Sequence, residues 1–186
     1  MTNYFDDKQL YPLLFQNDFS KILSFLEKYG LNSVDRNGRS FLMNCIAEGK
    51  NDFAYKLIEL GANLNHQDAS GASPLFAAIW AYNIEMIVSL LDNPSVDKNI
   101  TDNQGRNALR IALQYHPEDC ELMIRFIRAG VNPFSCDNNG VSFYDLLQKY
   151  ASGSITKGGR KLNVKPIIIE IENGMLTNKQ NRLNKR

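Results

Sequence analysis

Apolar residues recur along the chain in pairs of short blocks, and the pairs keep a nearly constant interval. The first block of each pair is dense: Phe41-Leu42-Met43, Pro74-Leu75-Phe76-Ala77-Ala78, Ala108-Leu109 and Phe143-Tyr144. The second block, in 53–58, 84–91 and 122–127, has apolar residues three and four apart, the spacing of one helix face. Each pair therefore predicts two short helices. An Asp-x-x-Gly tetrad and a small polar residue precede each first block, at 35–38, 68–71, 102–105 and 137–140, with spacings of 33, 34 and 35 residues. Gly61 and Gly130 close second helices, where a left-handed residue is accessible to glycine, and Ala62-Asn63 and Val131-Asn132 lead towards the next tetrad. A fixed period in this range marks stacked repeats, each burying its apolar face only against its neighbours.

At these residues the chain resembles the ankyrin-repeat family, whose consensus runs DxxGxTPLHxAAxxG and then xxxVxxLLxxGAxxN. The stretch from Asp35 to Gln67 aligns without a gap, and the next repeat carries Ser73-Pro74-Leu75-Phe76-Ala77-Ala78. The resemblance implies an all-α solenoid of helix-turn-helix units joined by protruding turns. It also implies protein recognition through the turn tips and the concave face, with no chemistry and no cofactor. The consensus His is replaced by Met43, Phe76, Arg110 and Tyr144, so its hydrogen bonds to the neighbouring turn have to be replaced or lost. Two extra residues around Tyr115–Asp119 are expected to lengthen the turn in the third repeat.

The organisation expected is a single domain over 1–186: a capping repeat at 1–34, full repeats at 35–67, 68–101 and 102–136, and a last repeat at 137–176. Residues 177–186 form a basic tail. In the cap, Leu10, Leu13, Leu14 and Phe15 mark one helix and Phe19, Ile22, Leu23, Phe25 and Leu26 the next. Residues 151–163 lack an apolar period and are expected to form an open, mobile loop inserted into the last repeat. Beyond it, Pro166–Leu176 reads as the missing second helix. The competing reading is a strand at Val164–Ile171, given its β-branched run, but a stack of helix pairs offers that strand no partner.

Charge changes this picture only at one end. Residues 1–156 carry 13 basic and 18 acidic side chains, whereas 157–186 carry 8 and 2. The basic segment has no aromatic residue to stack on a base, which argues against nucleic-acid binding. No apolar run approaches the roughly 20 residues of a membrane span, and the acidic N-terminus has no signal-peptide pattern, so a cytoplasmic, membrane-free location is expected. Cys45, Cys120 and Cys136 have no CxxC spacing, which argues against a zinc site or a disulfide framework.

Catalysis needs convergent groups. The two histidines, His66 and His116, fall in connections and read as solvated, and Gly158-Gly159-Arg160-Lys161 lacks the order of a phosphate-binding loop. No enzyme activity, small-molecule substrate or metal is expected. With the repeat register set, the side chains left free are those of the turns and of the ends of the first helices. Candidate binding residues are Arg36, Arg39, Asn103, Gln104 and Arg106 in the turns, with Ala72 among the free turn positions. At the helix ends they are Glu48, Trp80, Gln114 and Tyr115. Trp, Tyr and Arg are common interface anchors, and the register puts Trp80 and Tyr115 in equivalent places. The expected partner is a protein. The small size and Asn, Lys and Ile content resemble ankyrin-type immunity proteins that block a cognate bacterial toxin, with an adaptor or effector as the alternative and, behind it, a nucleic-acid-associated regulator acting through the basic tail.

Overall fold

The computed structural model describes residues 4–16, 18–153, 156–158 and 161–183. Gly159 and Arg160 of the inserted loop and residues 184–186 of the basic tail lie outside them, as do the side chains of 178–183. The described residues form ten α-helices and no strands, an all-α fold, and the chain divides into two compact units, 1–103 and 104–186.

In the first unit, α1 (Asp7–Phe15) and α2 (Phe19–Tyr29) precede two helix pairs. These are α3 (Phe41–Ala47) with α4 (Asn51–Glu59) and α5 (Pro74–Trp80) with α6 (Ile84–Asp92). The helices α3 and α5 have only seven residues each, too few to persist alone. Packing holds them: Phe41–Ile46 and Pro74–Ile79 are buried on every side, between each helix's own partner and the other pair. Full burial of a Leu or Phe side chain is worth about 1.5–3 kcal/mol, which offsets the weak local propensity. Helices α4 and α6 bury one face each, through Phe53, Ala54 and Leu57 and through Met86, Ile87, Leu90 and Leu91. Starts are set locally. Ser40 Oγ accepts the Met43 amide, Pro74 opens α5, and Asn83 Oδ1 accepts the Met86 amide. Within α3 the Cys45 thiol is buried, and that burial pushes its pKa up.

The cap buries Leu10, Leu14, Ile22, Phe25 and Leu26 as expected, but Phe15 and Leu23 are exposed. Phe15 lies under the Lys50 ammonium, 5.1 Å from its ring centre. Ahead of α1 the chain is tied down by the Phe5 amide, which donates to the Val34 carbonyl at 2.9 Å. The Phe5 ring packs edge-on against Phe25 and Phe41.

The second unit contains α7 (Ala108–Tyr115), α8 (Cys120–Arg128), α9 (Phe143–Ala151) and α10 (Lys165–Leu183). The two extra residues of the third repeat divide between helix and turn: α7 has eight residues, and 116–119 is one residue longer than 48–50 or 81–83. The helical reading of the C-terminal segment holds, and α10 runs on to Leu183. Its β-branched run is helical because Ile167 and Ile171 are buried, and α10 packs against α8 and α9. Arg128 clamps Glu170 with two 3.0 Å hydrogen bonds and holds its carboxyl below the usual range, and Tyr144 Oη donates to Glu172. The expectation of an open loop through residue 163 needs correction at its far end. Leu162 and Val164 are buried, and Cys120 Sγ lies 3.1 Å from the Asn163 carbonyl.

Candidate protein-binding face

The turns at 35–38, 68–71 and 137–140 are built around their aspartates. Asp68 Oδ1 accepts the amides of Ser70 and Ala72, at 2.8 and 3.0 Å, and Asp137 Oδ1 accepts those of Asn139 and Val141, at 2.9 and 3.0 Å. The side chain thus mimics a backbone turn, and the glycine that closes the tetrad has positive φ. In the first unit the turns are stitched together: the Ala69 amide donates to the Asn37 carbonyl and the Asn103 amide to the Ser70 carbonyl. In the second unit the Asn138 amide donates to the Gln104 carbonyl at 2.9 Å.

The bonds lost with the consensus His are partly replaced. Arg110 Nη2 reaches Asp137 Oδ2 at 2.7 Å, in the following turn. The Asp137 carboxyl is held below its ordinary pKa, first by the Val141 amide and further by the Asn139 amide and the Arg110 charge. Met43 and Phe76 are buried without a polar role, and Asn44, next in sequence, donates to Asp35 Oδ2 instead. His66 is not simply solvated: its Nε2–H donates to the Gly38 carbonyl at 2.6 Å, tying one connection to the preceding turn.

The candidate residues divide by what they already hold. Arg39 is committed inside its own turn, with Nε 3.0 Å from Asp35 Oδ2. The Asn103 side chain donates to the Ala69 carbonyl, and Arg106 Nη1 donates to Gln114 Oε1 at 2.6 Å, so these polar groups brace the turns. Ala72 is fully buried, which removes it from any contact surface. Arg36, Glu48, Gln104 and Gln114 are exposed. Trp80, in the first unit, is 37% exposed with its ring edge-on to Phe76, and Tyr115, in the second, is 51% exposed. Sequence reasoning missed Tyr82 and Ile84, 49% and 38% exposed, which follow Trp80 in the same connection.

A family model described as ankyrin repeats (3 copies) matches residues 13–102 and 42–135, more than half of the chain. The chain belongs to the ankyrin-repeat family. This ankyrin chain is 31% identical over 80 residues to mouse (Mus musculus) Rabankyrin-5, a match covering 43% of this chain and 7% of that protein. It is 27% identical over 147 residues to the inactive serine/threonine-protein kinase TEX14 of Bos taurus, covering 78% of this chain and 10% of that protein. The ankyrin chain thus spans a tenth or less of these curated relatives. Ankyrin repeats are in general protein-binding rather than catalytic modules. Among the described residues no group of three or more His, Cys, Asp or Glu side chains could hold a metal, and no helix is long and apolar enough to cross a membrane.

Proposed function

We propose that this ankyrin chain is a non-enzymatic docking module that holds a protein partner at the exposed ends of its first helices. The observation that carries this reading is Trp80, Tyr82 and Ile84 standing exposed within five residues. Large apolar groups gathered at one surface position mark interaction sites, and aromatic anchors dominate interface energetics. The finer reading is an immunity protein that neutralises a cognate bacterial toxin by occupying it. An adaptor stack is the second reading, favoured by relatives in which the matching segment is a small part of a much longer protein.

Co-expression with a bacterial toxin whose gene neighbours this one, where such a gene is found, tests the first reading. Growth rescue is expected, with a 1:1 complex on a sizing column that buries on the order of 1,600 Å² in total. Rescue through covalent modification of the toxin, without a stable complex, would remove the non-enzymatic reading. Absence of rescue, with a complex formed on another protein, leaves the adaptor reading.

A further inference from the structure

Three Asn-Gly pairs lie along the chain, at Asn37-Gly38, Asn139-Gly140 and Asn173-Gly174. An asparagine followed by glycine is chemically labile, because no side chain on the glycine shields its amide nitrogen from the asparagine's carboxamide carbon. Reaction requires the backbone to swing that nitrogen onto Cγ, so whatever holds the backbone sets the rate. The fold holds the three pairs differently.

Asn37 and Asn139 occupy the same place in their tetrads, and their local restraints match. The Asn37 amide donates to Asp35 Oδ1 at 2.8 Å and the Asn139 amide to Asp137 Oδ1 at 2.9 Å. Each following glycine has nearly the same φ, +76° and +75°, and its amide donates to the aspartate carbonyl at 2.9 Å. The difference lies outside the turn. The Asn37 carbonyl accepts the Ala69 amide at 3.0 Å, and the Gly38 carbonyl accepts His66 Nε2–H at 2.6 Å. Gly38 is half-buried, and a Cβ on it would sit 3.0 Å from the Ala69 nitrogen, so moving this peptide parts two turns. Asn139 and Gly140 are both exposed, and no backbone amide of the described residues donates to the Asn139 carbonyl. Asn173 sits inside α10, where its carbonyl accepts Thr177 Oγ1–H and the helix has to open locally before the peptide can turn.

We propose that Asn139 is a self-modifying site of the folded chain, converting to aspartate and isoaspartate ahead of Asn37 and Asn173. The inference stands whatever the chain binds. The Gly140 amide gives its proton to solvent and its nitrogen attacks Asn139 Cγ. The N–Cγ bond forms, the Cγ–Nδ2 bond breaks, and ammonia leaves with a proton taken from water. One water molecule then opens the five-membered imide. Addition at Cγ leaves aspartate, and addition at the main-chain carbonyl leaves isoaspartate, with the backbone running through Cγ. The sum is one water taken up and one ammonia lost, with no redox change. Either product places a second carboxylate two residues from Asp137. Isoaspartate also adds a methylene to the backbone between the amides of Asn139 and Val141, which share Asp137 Oδ1, so the turn is expected to loosen.

The test incubates the full chain at mildly alkaline pH and follows the three pairs by peptide mass spectrometry, with fragment spectra locating each conversion and distinguishing isoaspartate from aspartate. A parallel sample in guanidinium chloride gives the rates of the same pairs without the fold, and these are expected to be alike. In the folded chain Asn139 is expected to convert at least about tenfold faster than Asn37, the effect of the two hydrogen bonds that tie down the Asn37-Gly38 pair. It is also expected to outpace Asn173. Converted chain, separated by anion exchange on its added charge, is expected to melt lower than the parent and to exchange the Val141 amide sooner. Equal folded rates at Asn37 and Asn139 overturn the proposal, and so does protection of Asn139 as deep as that of Asn173. A converted fraction that melts with the parent and keeps the Val141 amide protected overturns the loosening of the turn.

Discussion

The turns Asp68–Gly71 and Asp137–Gly140 have the same tetrad, the same pair of aspartate-to-amide hydrogen bonds and nearly the same glycine conformation, with φ +82° and +75°. They differ in what stands beyond the glycine. A Cβ on Gly71 would sit 2.7 Å from the backbone nitrogen of Asn103, whereas one on Gly140 would meet nothing within 4 Å. The aspartate therefore acts locally in both turns. The glycine has a conformational role in both but a spacing role only where another turn is stacked on it. Identical residues at equivalent places in a repeat thus carry different consequences, set by the neighbour and not by the motif.

The largest effect separating the two turns is expected at Gly71→Ala. The substitution adds a backbone clash that no rotamer relieves to the left-handed penalty, and a loss of about 3 kcal/mol or more is expected in chemical denaturation. Gly140→Ala bears the conformational penalty alone, about 1 kcal/mol. Equal losses would show that stitching between turns contributes nothing to stability. Between these falls Arg110→Met, which leaves Asp137 Oδ2 without its cationic partner. A loss of about 1.5–3 kcal/mol is expected, read by thermal melting against the parent chain. The smallest effect is acid sensitivity. Asp137, Asp145 and Glu170 in the second unit all have carboxyl pKa values held below their ordinary ones by hydrogen bonds from neighbouring groups. Their contribution is present above the unfolded pKa of about 4 and is lost as pH falls through the lower folded values. Amide exchange between pH 6 and pH 3 should show protection in the second unit declining below about pH 4, with a shallower decline in Arg110→Met.

The helix pairs were legible because their signals are local and repeated: a tetrad, a dense block, then a three-and-four spacing. The missing consensus His pointed to substitute hydrogen bonds but not to their donors, since Arg110 meets its acceptor 27 residues away in sequence. Leu162 was read as loop because the packing that buries it is tertiary and leaves no trace in the glycines and lysines around it. At the candidate site, Trp80 stood out by rarity. Tyr82 did not, because its exposure is set by how the connection after α5 folds, which one-letter composition does not carry. Arg39 looked free for the opposite reason: its partner is its own turn's Asp35, four residues back, a contact that spacing along the turn does not announce.

Burial of one thiol and exposure of another equip the chain with its own stopwatch. Cys136 is exposed, while Cys45 is enclosed in α3 with its thiolate form disfavoured. A membrane-permeant thiol reagent would modify Cys136 almost at once, marking the start, and would reach Cys45 only when the first unit opens. The ratio of the Cys45 labelling rate to that of a free thiol then measures how often that opening occurs. The same reading could be taken in living cells, where a bound partner would slow the hand that counts opening and leave the other running.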